Sequence, residues 1–428
     1  MQIHVVQAGQ SLYGISHAYG VTVEEIAAAN EIDPNLSLVV GQALVIPITG
    51  RYYWVQPGDS LFTIARRFGI DAGTIASVNG LSPAQPLRVG LRLYIPPPPR
   101  RDIESNAYVE PREQVSDVVL QDTRRAAPLL TYLAPFSFQI QRDGSLRRPN
   151  LDQFPEIAAQ NDVTLMMVVT NLENEQFSAE LAGEILNNEE LQTTLLNNII
   201  STAGELGFRD IHFDMEFISP NDREAYNRFL RRAAERIHQE GYLMSTALAP
   251  KVSATQTGEW YTAHDYRTHG EVADFVVIMT YEWGYSGGPP MPVSPINSVR
   301  RVLEYALTEM PGSKIMMGQN LYGYDWTLPY VQGGEYARAL SPQAAIELAR
   351  RENVAIQYDY TAQAPHFDYV DAEGRAHKVW FEDARSIQAK FNLIKELGLR
   401  GISYWKLGLP FPQNWLLLEE NFNVVKRS

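Results

Sequence analysis

An α/β fold is predicted for this chain of 428 residues: a (β/α)8 TIM-type barrel preceded by two small β-α-α-β modules. Three observations predict it. The first 96 residues contain a direct repeat with a constant offset of 49 positions. Four prolines, Pro96 to Pro99, close that repeat. From residue 103 onward, short apolar runs alternate with amphipathic helical stretches.

The repeat defines its own elements. Gln7-Ala8-Gly9-Gln10-Ser11-Leu12 is echoed by Gln56-Pro57-Gly58-Asp59-Ser60-Leu61. Ile15, Gly20, Ile26, Asn30, Gly41 and Pro47 recur as Ile64, Gly69, Ile75, Asn79, Gly90 and Pro96. Each copy opens with a β run, Ile3 to Val6 or Tyr53 to Val55, and a glycine turn. Ser11 or Ser60 then caps a helix that Gly20 or Gly69 ends. A second helix runs to Asn30 or Asn79, and Ala43 to Ile46 or Arg92 to Ile95 forms the closing strand. The modules span 1–48 and 52–96, and their short join, Thr49-Gly50-Arg51, predicts limited relative freedom. Residues 97–102 form a proline-rich, extended linker.

Residues 103–428 form the barrel. Its strands are predicted at Ala107–Val109, Leu129–Phe138, Thr164–Thr170, Asp210–Glu216, Leu243–Ala249, Phe275–Tyr281, Lys314–Tyr322 and Gly401–Trp405. Helices are expected at Leu191–Leu206, Asp222–Glu240, Ser294–Glu309 and Ala384–Leu397, among others. The stretch before strand eight is too long for one helix. Its alternating pieces, Ala355 to Tyr360 and His377 to Phe381, with a turn at 371–374, predict a small β-containing insertion at about 330–382.

Chemistry in such a barrel sits at the C-terminal strand ends. There the sequence collects Glu110, Asn171, Asp214, Glu216, Tyr281, Glu282, Tyr322 and Trp405. Strand four is the most informative. Period-two alternation sends His212, Asp214 and Glu216 to one face and Ile211, Phe213 and Met215 to the other. Two carboxylates that close raise one pKa, which keeps an acid protonated near neutrality. The pattern suits general acid/base work on a glycosidic bond; the bland reading is a solvated polar strand end. His264, His269, His366 and His377 show no metal-ligand spacing and are expected at the surface. No metal or organic cofactor is implied.

Composition excludes several classes. The chain has no cysteine, so no disulfide or thiolate metal site forms. Its net charge is −14. Residues 1–96 hold five basic and six acidic residues, so nearly all the excess lies in the barrel. Such an acidic chain is a poor nucleic-acid ligand, and its apolar runs are too short to span a membrane. No basic segment and apolar core precede the first module, so no classical signal peptide is expected. The oligomeric state is not legible.

The two modules resemble LysM domains, which bind glycans containing N-acetylglucosamine. The resemblance implies a groove between the first turn and the loop after the second helix. Gly9, Ser11, Leu12 and Asp33 would line it in one copy, and Gly58, Asp59, Ser60 and Leu61 in the other. The second loop of that copy covers Leu81 to Pro83. The bland alternative is a spacer or protein-interaction module.

Residues 103–428 resemble glycoside hydrolase family 18, the chitinase-like family. Its Asp-Gly-x-Asp-x-Asp-x-Glu signature aligns with Arg209 to Glu216, where Asp214 and Glu216 are kept and His212 replaces an Asp. Met279-Thr280-Tyr281-Glu282 and Ser403-Tyr404-Trp405 match two further family positions, with Glu282 for an Asp. The resemblance implies Glu216 as general acid/base and Asp214 and Tyr281 as holders of the substrate acetamide. Trp405 would lie beneath the sugar, with Glu282, Asn171, Tyr322 and Glu110 along the cleft. His212 would stand behind the site and could still hydrogen-bond Asp214.

The combination most resembles the spore cortex-lytic N-acetylglucosaminidases of spore-forming bacteria. It implies a peptidoglycan substrate, a retaining reaction assisted by the substrate's acetamide, and a spore location in the cortex and coat region. The alternatives are a chitinase or chitooligosaccharidase, and a non-catalytic wall-binding spore protein.

Overall fold

A computed structural model describes residues 1–82 and 86–427. Pro83, in the expected groove loop of the second module, lies outside the described residues. The barrel strands are β1 (Arg101–Val109), β2 (Tyr132–Pro135), β3 (Thr164–Thr170), β4 (Asp210–Asp214), β5 (Leu243–Leu248), β6 (Phe275–Ile278), β7 (Ile315–Asn320) and β8 (Gly401–Trp405). Each pairs in parallel with its neighbours, and β8 closes on β1 with Gly401 opposite Glu104. Gly401 is required there, because a Cβ would meet the Glu104 carbonyl oxygen at 1.7 Å.

The predicted strands are all present, but β1 begins at Arg101, inside the predicted linker, and β2, β4, β5, β6 and β7 stop short of their predicted ends. Past Asp214 and Ile278 the ladder gives way to other partners. Asn171 Oδ1 accepts from the Glu216 N–H, and the Thr280 carbonyl accepts from the Ser294 hydroxyl at 2.7 Å. The strand ends are thereby held as site loops.

Alternation along the strands builds two apolar layers. Tyr132, Met166, Val168, Phe275, Val277 and Met316 fill the barrel interior. Met167, Val169, Ile211, Phe213 and Met215 face the helices, where Phe213 packs edge-on against Phe229 at 5.4 Å. The helix Glu189–Leu206 is capped by Asn188 and ended by Gly207 at φ 80°.

The insertion is a five-stranded antiparallel sheet in the order Arg338–Leu340, Gly323–Thr327, Ala376–Trp380, Ala364–Val370 and Gln357–Asp359. It begins at Gly323, ahead of the predicted 330. Asn320 turns the chain by donating to the Tyr322 carbonyl at 2.7 Å. A Cβ at Gly323 would stand 2.3 Å from the Trp380 carbonyl oxygen, so the strands approach only at glycine.

Both modules pair their terminal strands antiparallel. The repeated asparagine explains itself structurally. Asn30 donates to Ile26 and Val45 carbonyls and accepts from the Val45 N–H; Asn79 does the same with Ile75 and Tyr94. Each fastens the second helix to the closing strand. The modules also grip one another. Gln2 exchanges two hydrogen bonds with the Tyr52 backbone, and Arg92 lies 4.4 Å over the Tyr52 ring.

The first module is built into the barrel. Ala43 and Val45 join the barrel's outer apolar core, while Gln413 donates to Asn30 Oδ1 at 2.6 Å and to the Ala43 carbonyl at 2.9 Å. The Ile356 N–H donates to the Val40 carbonyl at 2.8 Å. The closing strand of this module is therefore wholly buried, whereas Arg92–Ile95 of the second is half exposed.

Candidate active site

Glu216 and Asp214 are both buried at the C-terminal end of β4. Burial raises the pKa of each carboxyl, and the neighbouring Asp214 raises that of Glu216 further. The Trp260 indole N–H donates to Glu216 Oε2 at 2.5 Å, which opposes that rise and leaves Oε1 to carry the acidic proton. Asp214 Oδ1 is buried with no hydrogen-bond partner in the protein. A buried acceptor without a partner costs free energy unless a ligand supplies a donor.

The backbone under the acid is clamped from two sides. Asn171 Nδ2 donates to the Glu216 and Ser178 carbonyls, and its Oδ1 accepts from the Glu216 N–H. The sequence places Asn171 in the cleft; its side chain is instead fully buried with its hydrogen bonds spent on backbone. His264 Nε2 bonds the Met215 carbonyl at 3.0 Å, while Nδ1 accepts from the Ala249 N–H. Asn171→Ala is expected to lower kcat about 10–100-fold with KM little changed, because it loosens the acid and not the sugar-binding surfaces. Steady-state kinetics check this; a change confined to KM would contradict it.

His212 does not touch Asp214 through a hydrogen bond. Its Nδ1 meets Ser245 Oγ at 2.7 Å and its Nε2 meets the Tyr108 hydroxyl at 2.9 Å. Ser245 has one hydrogen and donates it to Asp210. Ser245 therefore accepts from His212 Nδ1–H, and Nε2 accepts from Tyr108. Burial pushes the His212 pKa down to about 3, so the ring is neutral and gives Asp214 no charge support. Its effect is on the floor: Tyr108 packs edge-on against Trp405 at 5.5 Å, and Phe136 does so at 4.9 Å.

Tyr281 is buried at the end of β6, and its ring lies over Gly318, where a Cβ would stand 2.8 Å from it. Burial raises its pKa, so the hydroxyl stays a donor. Glu282, at φ 64°, accepts from the Tyr322 hydroxyl and from Tyr324 at 3.1 Å. Tyr322 is thus a support for Glu282, buried beneath it, and not an open cleft residue. Glu110 accepts a hydrogen bond from the ammonium of Lys406, which follows Trp405 at the cleft edge.

The histidines depart from expectation. His264, His269 and His377 are buried and His366 is partly so. Each ring has at least one hydrogen-bond partner in the fold, as His377 has in Asp325 and Asp371. Among the described residues, no group of three His, Asp or Glu side chains could hold a metal.

In the modules, Leu12 and Leu61 are core residues, only 5% and 6% exposed, and cannot line a groove. Ser11 and Ser60 accept from helix N–H groups at Gly14 and Thr63. Asp33 accepts from the Asn35 N–H, and Asp59 from Tyr53 and the Gln56 N–H. Gly9 and Gly58 make the turns at φ 81° and 85°. The open surface belongs to the next side chains along, Tyr13 and Phe62, 68% and 69% exposed.

Sequence reasoning missed Trp260, Tyr108 and His264. The signal for Trp260 was an aromatic pair, Trp260-Tyr261, in the loop after a barrel strand, on the face that carries chemistry.

A buried acid pair at the mouth of a barrel suits acid/base chemistry on a glycosidic bond, and known proteins point to the same class. Residues 107–409 match the family Glycosyl hydrolases family 18, and residues 4–47 and 53–96 match the LysM domain. The chain belongs to glycosyl hydrolase family 18 and is a glycoside hydrolase carrying two LysM domains. It is 66% identical over 429 residues, 100% of both chains, to the Cortical fragment-lytic enzyme of Bacillus subtilis (strain 168). Its fold matches the crystal structure of the Bacillus megaterium QM B1551 spore cortex-lytic enzyme SleL with a TM-score of 0.92 and 55% identity, over 100% of this chain and 99% of that one. A chitinase from Chromobacterium violaceum ATCC 12472 shares the fold, with a TM-score of 0.68 and 23% identity over 74% of this chain and 98% of its own.

Proposed function

We propose that this chain hydrolyses spore cortex peptidoglycan, or fragments of it, after N-acetylglucosamine, with retention at the anomeric carbon. The substrate class rests on its full-length similarity to the Cortical fragment-lytic enzyme. The observation that carries the chemistry is the pairing of a buried Glu216, whose hold on a proton burial and Asp214 strengthen, with an Asp214 whose Oδ1 lacks a partner. Glu216 protonates the leaving oxygen from Oε1. The substrate's acetamide oxygen attacks C1, so no second protein nucleophile is needed; this route departs from the two-carboxylate rule. Asp214 accepts the acetamide N–H and offsets the developing positive charge, Tyr281 donates to the acetamide oxygen, and Trp405 stacks beneath the ring. Glu216 then removes a proton from the water that opens the intermediate. The LysM modules hold the glycan, with Tyr13 and Phe62 as exposed contacts, and the site of action is the spore cortex and coat region. No helix among the described residues is long and apolar enough to cross a membrane.

The test is mass spectrometry of borohydride-reduced products from spore cortex, vegetative wall and chitin oligomers. Reduced N-acetylglucosamine ends from cortex are expected. Ends from chitin alone would move the chain to chitinase, and no new ends from any substrate would leave a wall-binding protein.

A further inference from the structure

The loops that follow β3, β4 and β5 each bring an aromatic ring to one side of the cleft. Phe217 and Trp260 are nearly parallel, 13° apart with centroids at 6.2 Å, and Phe177 leans on Phe217 at 6.4 Å. This wall begins at the acid itself, through the Trp260 N–H on Glu216 Oε2. Phe217 is 43% exposed although it is a large apolar side chain. It is also held at φ 53°, a conformation that bulky residues rarely adopt. The Asn171 clamp on the residue before it imposes that turn, and imposed strain of this kind gathers at binding sites.

The position of the wall determines what reaches it. In a closed eight-stranded barrel β4 stands opposite β8, so the wall, which starts at Glu216, lies across the mouth from Trp405. Trp405 underlies the sugar whose C1 reacts. The ring attached to the leaving oxygen must lie on the far side of the group that protonates that oxygen. A pyranose ring presents a C–H face, which an exposed aromatic face covers by apolar burial.

We propose that Phe217, backed by Trp260, is the stacking surface for the leaving-group sugar, a muramyl residue when cleavage falls after N-acetylglucosamine. The assignment of that sugar rests on the function proposed above. A flat wall contacts the ring face and not its substituents, so it accepts muramic acid and muramic lactam alike. Trp260 acts through Glu216 as well, and is a positioning residue for the acid.

The experiment compares cortex fragments, which leave a sugar, with a β-glycosyl fluoride built on the same glycone, whose leaving group has no ring. For Phe217→Ala, KM for the fragments is expected to rise about tenfold, and their kcat/KM relative to the fluoride to fall by the same factor. Phe217→Trp should restore both, while Phe217→Leu should not. Equal effects on the two substrates, or no change in KM, would overturn the proposal. Should wild-type protein cleave neither substrate, the activity assignment fails separately. Calorimetric binding of fragments to Glu216→Gln and to Glu216→Gln/Phe217→Ala then decides the wall alone: about tenfold weaker binding supports it, and equal binding refutes it. Circular dichroism confirms that each variant is folded.

Discussion

Glu216→Gln is expected to lower kcat on cortex fragments about 10³-fold while binding to wall material survives. The amide keeps the shape of the carboxyl and can still accept from Trp260, but it has no acidic proton for the leaving oxygen. The reaction also has a predictable pH limb. Burial and the adjacent Asp214 hold the Glu216 pKa above the ordinary carboxylate range. A general acid works only while protonated, so kcat/KM should be lost as pH rises through that raised value, while on the acid side it should fall as Asp214, whose pKa burial also raises, takes up a proton and no longer offsets positive charge. Asp214→Asn removes the neighbouring negative charge and should move the limb to lower pH, on top of its own loss of activity. A pH–rate profile of both proteins checks the sign. A limb that stays in place or moves upward would show that Asp214 does not set the acid's proton affinity.

The second large effect concerns stability. Removing residues 1–96 is expected to weaken wall binding and also to lower the melting temperature of the remaining barrel, on the order of 5–10 °C. A tethered binding module could be cut away without cost. This one cannot, because Ala43 and Val45 complete the barrel's outer core and Gln413 loses two buried hydrogen-bond partners. The cost is chiefly the apolar surface newly exposed on the barrel, at about 25 cal/mol per Å², while the uncovered Gln413 amide exchanges its two protein partners for water. Gly41→Ala tests the same contact with one atom. It stands at φ 83°, and a Cβ would meet the Ile356 carbonyl oxygen at 1.8 Å. Scanning calorimetry should show both proteins unfolding earlier than wild type, the truncation more so. An unchanged transition in the truncated protein would mean that the module merely rests on the barrel.

Much of the fold was legible because it is written in local periodicities. The barrel strands are bounded apolar runs, and the modules repeat at one offset with their caps, Ser11 and Ser60, in place. Asp214 and Glu216 were legible for the same reason, since period two along β4 brings them to one face. Less legible were the groups that hold them. Asn171, Trp260 and His264 come from different loops and act on a backbone that only folding brings near. His212 shows the limit of analogy: its partners, Ser245 and Tyr108, lie 33 and 104 positions away in the chain. Leu12 and Leu61 show a different failure. A residue inside a recognised turn motif can serve the core, and the open aromatic one position later was the surface residue.

The sequence by itself determined the architecture, the acid pair and the module repeat, because each depends on neighbours within one element or one turn. It could not separate Asn30 from Asn79, which occupy equivalent places and make the same internal bonds. Tertiary structure alone decided that Asn30 is covered by Gln413, from 383 positions away, while Asn79 stays partly open. It also decided that Phe217, Trp260 and Phe177 stand together beside the acid. Such contacts are made by the closing of the barrel, and nothing in the local pattern of the chain marks the residues that will meet.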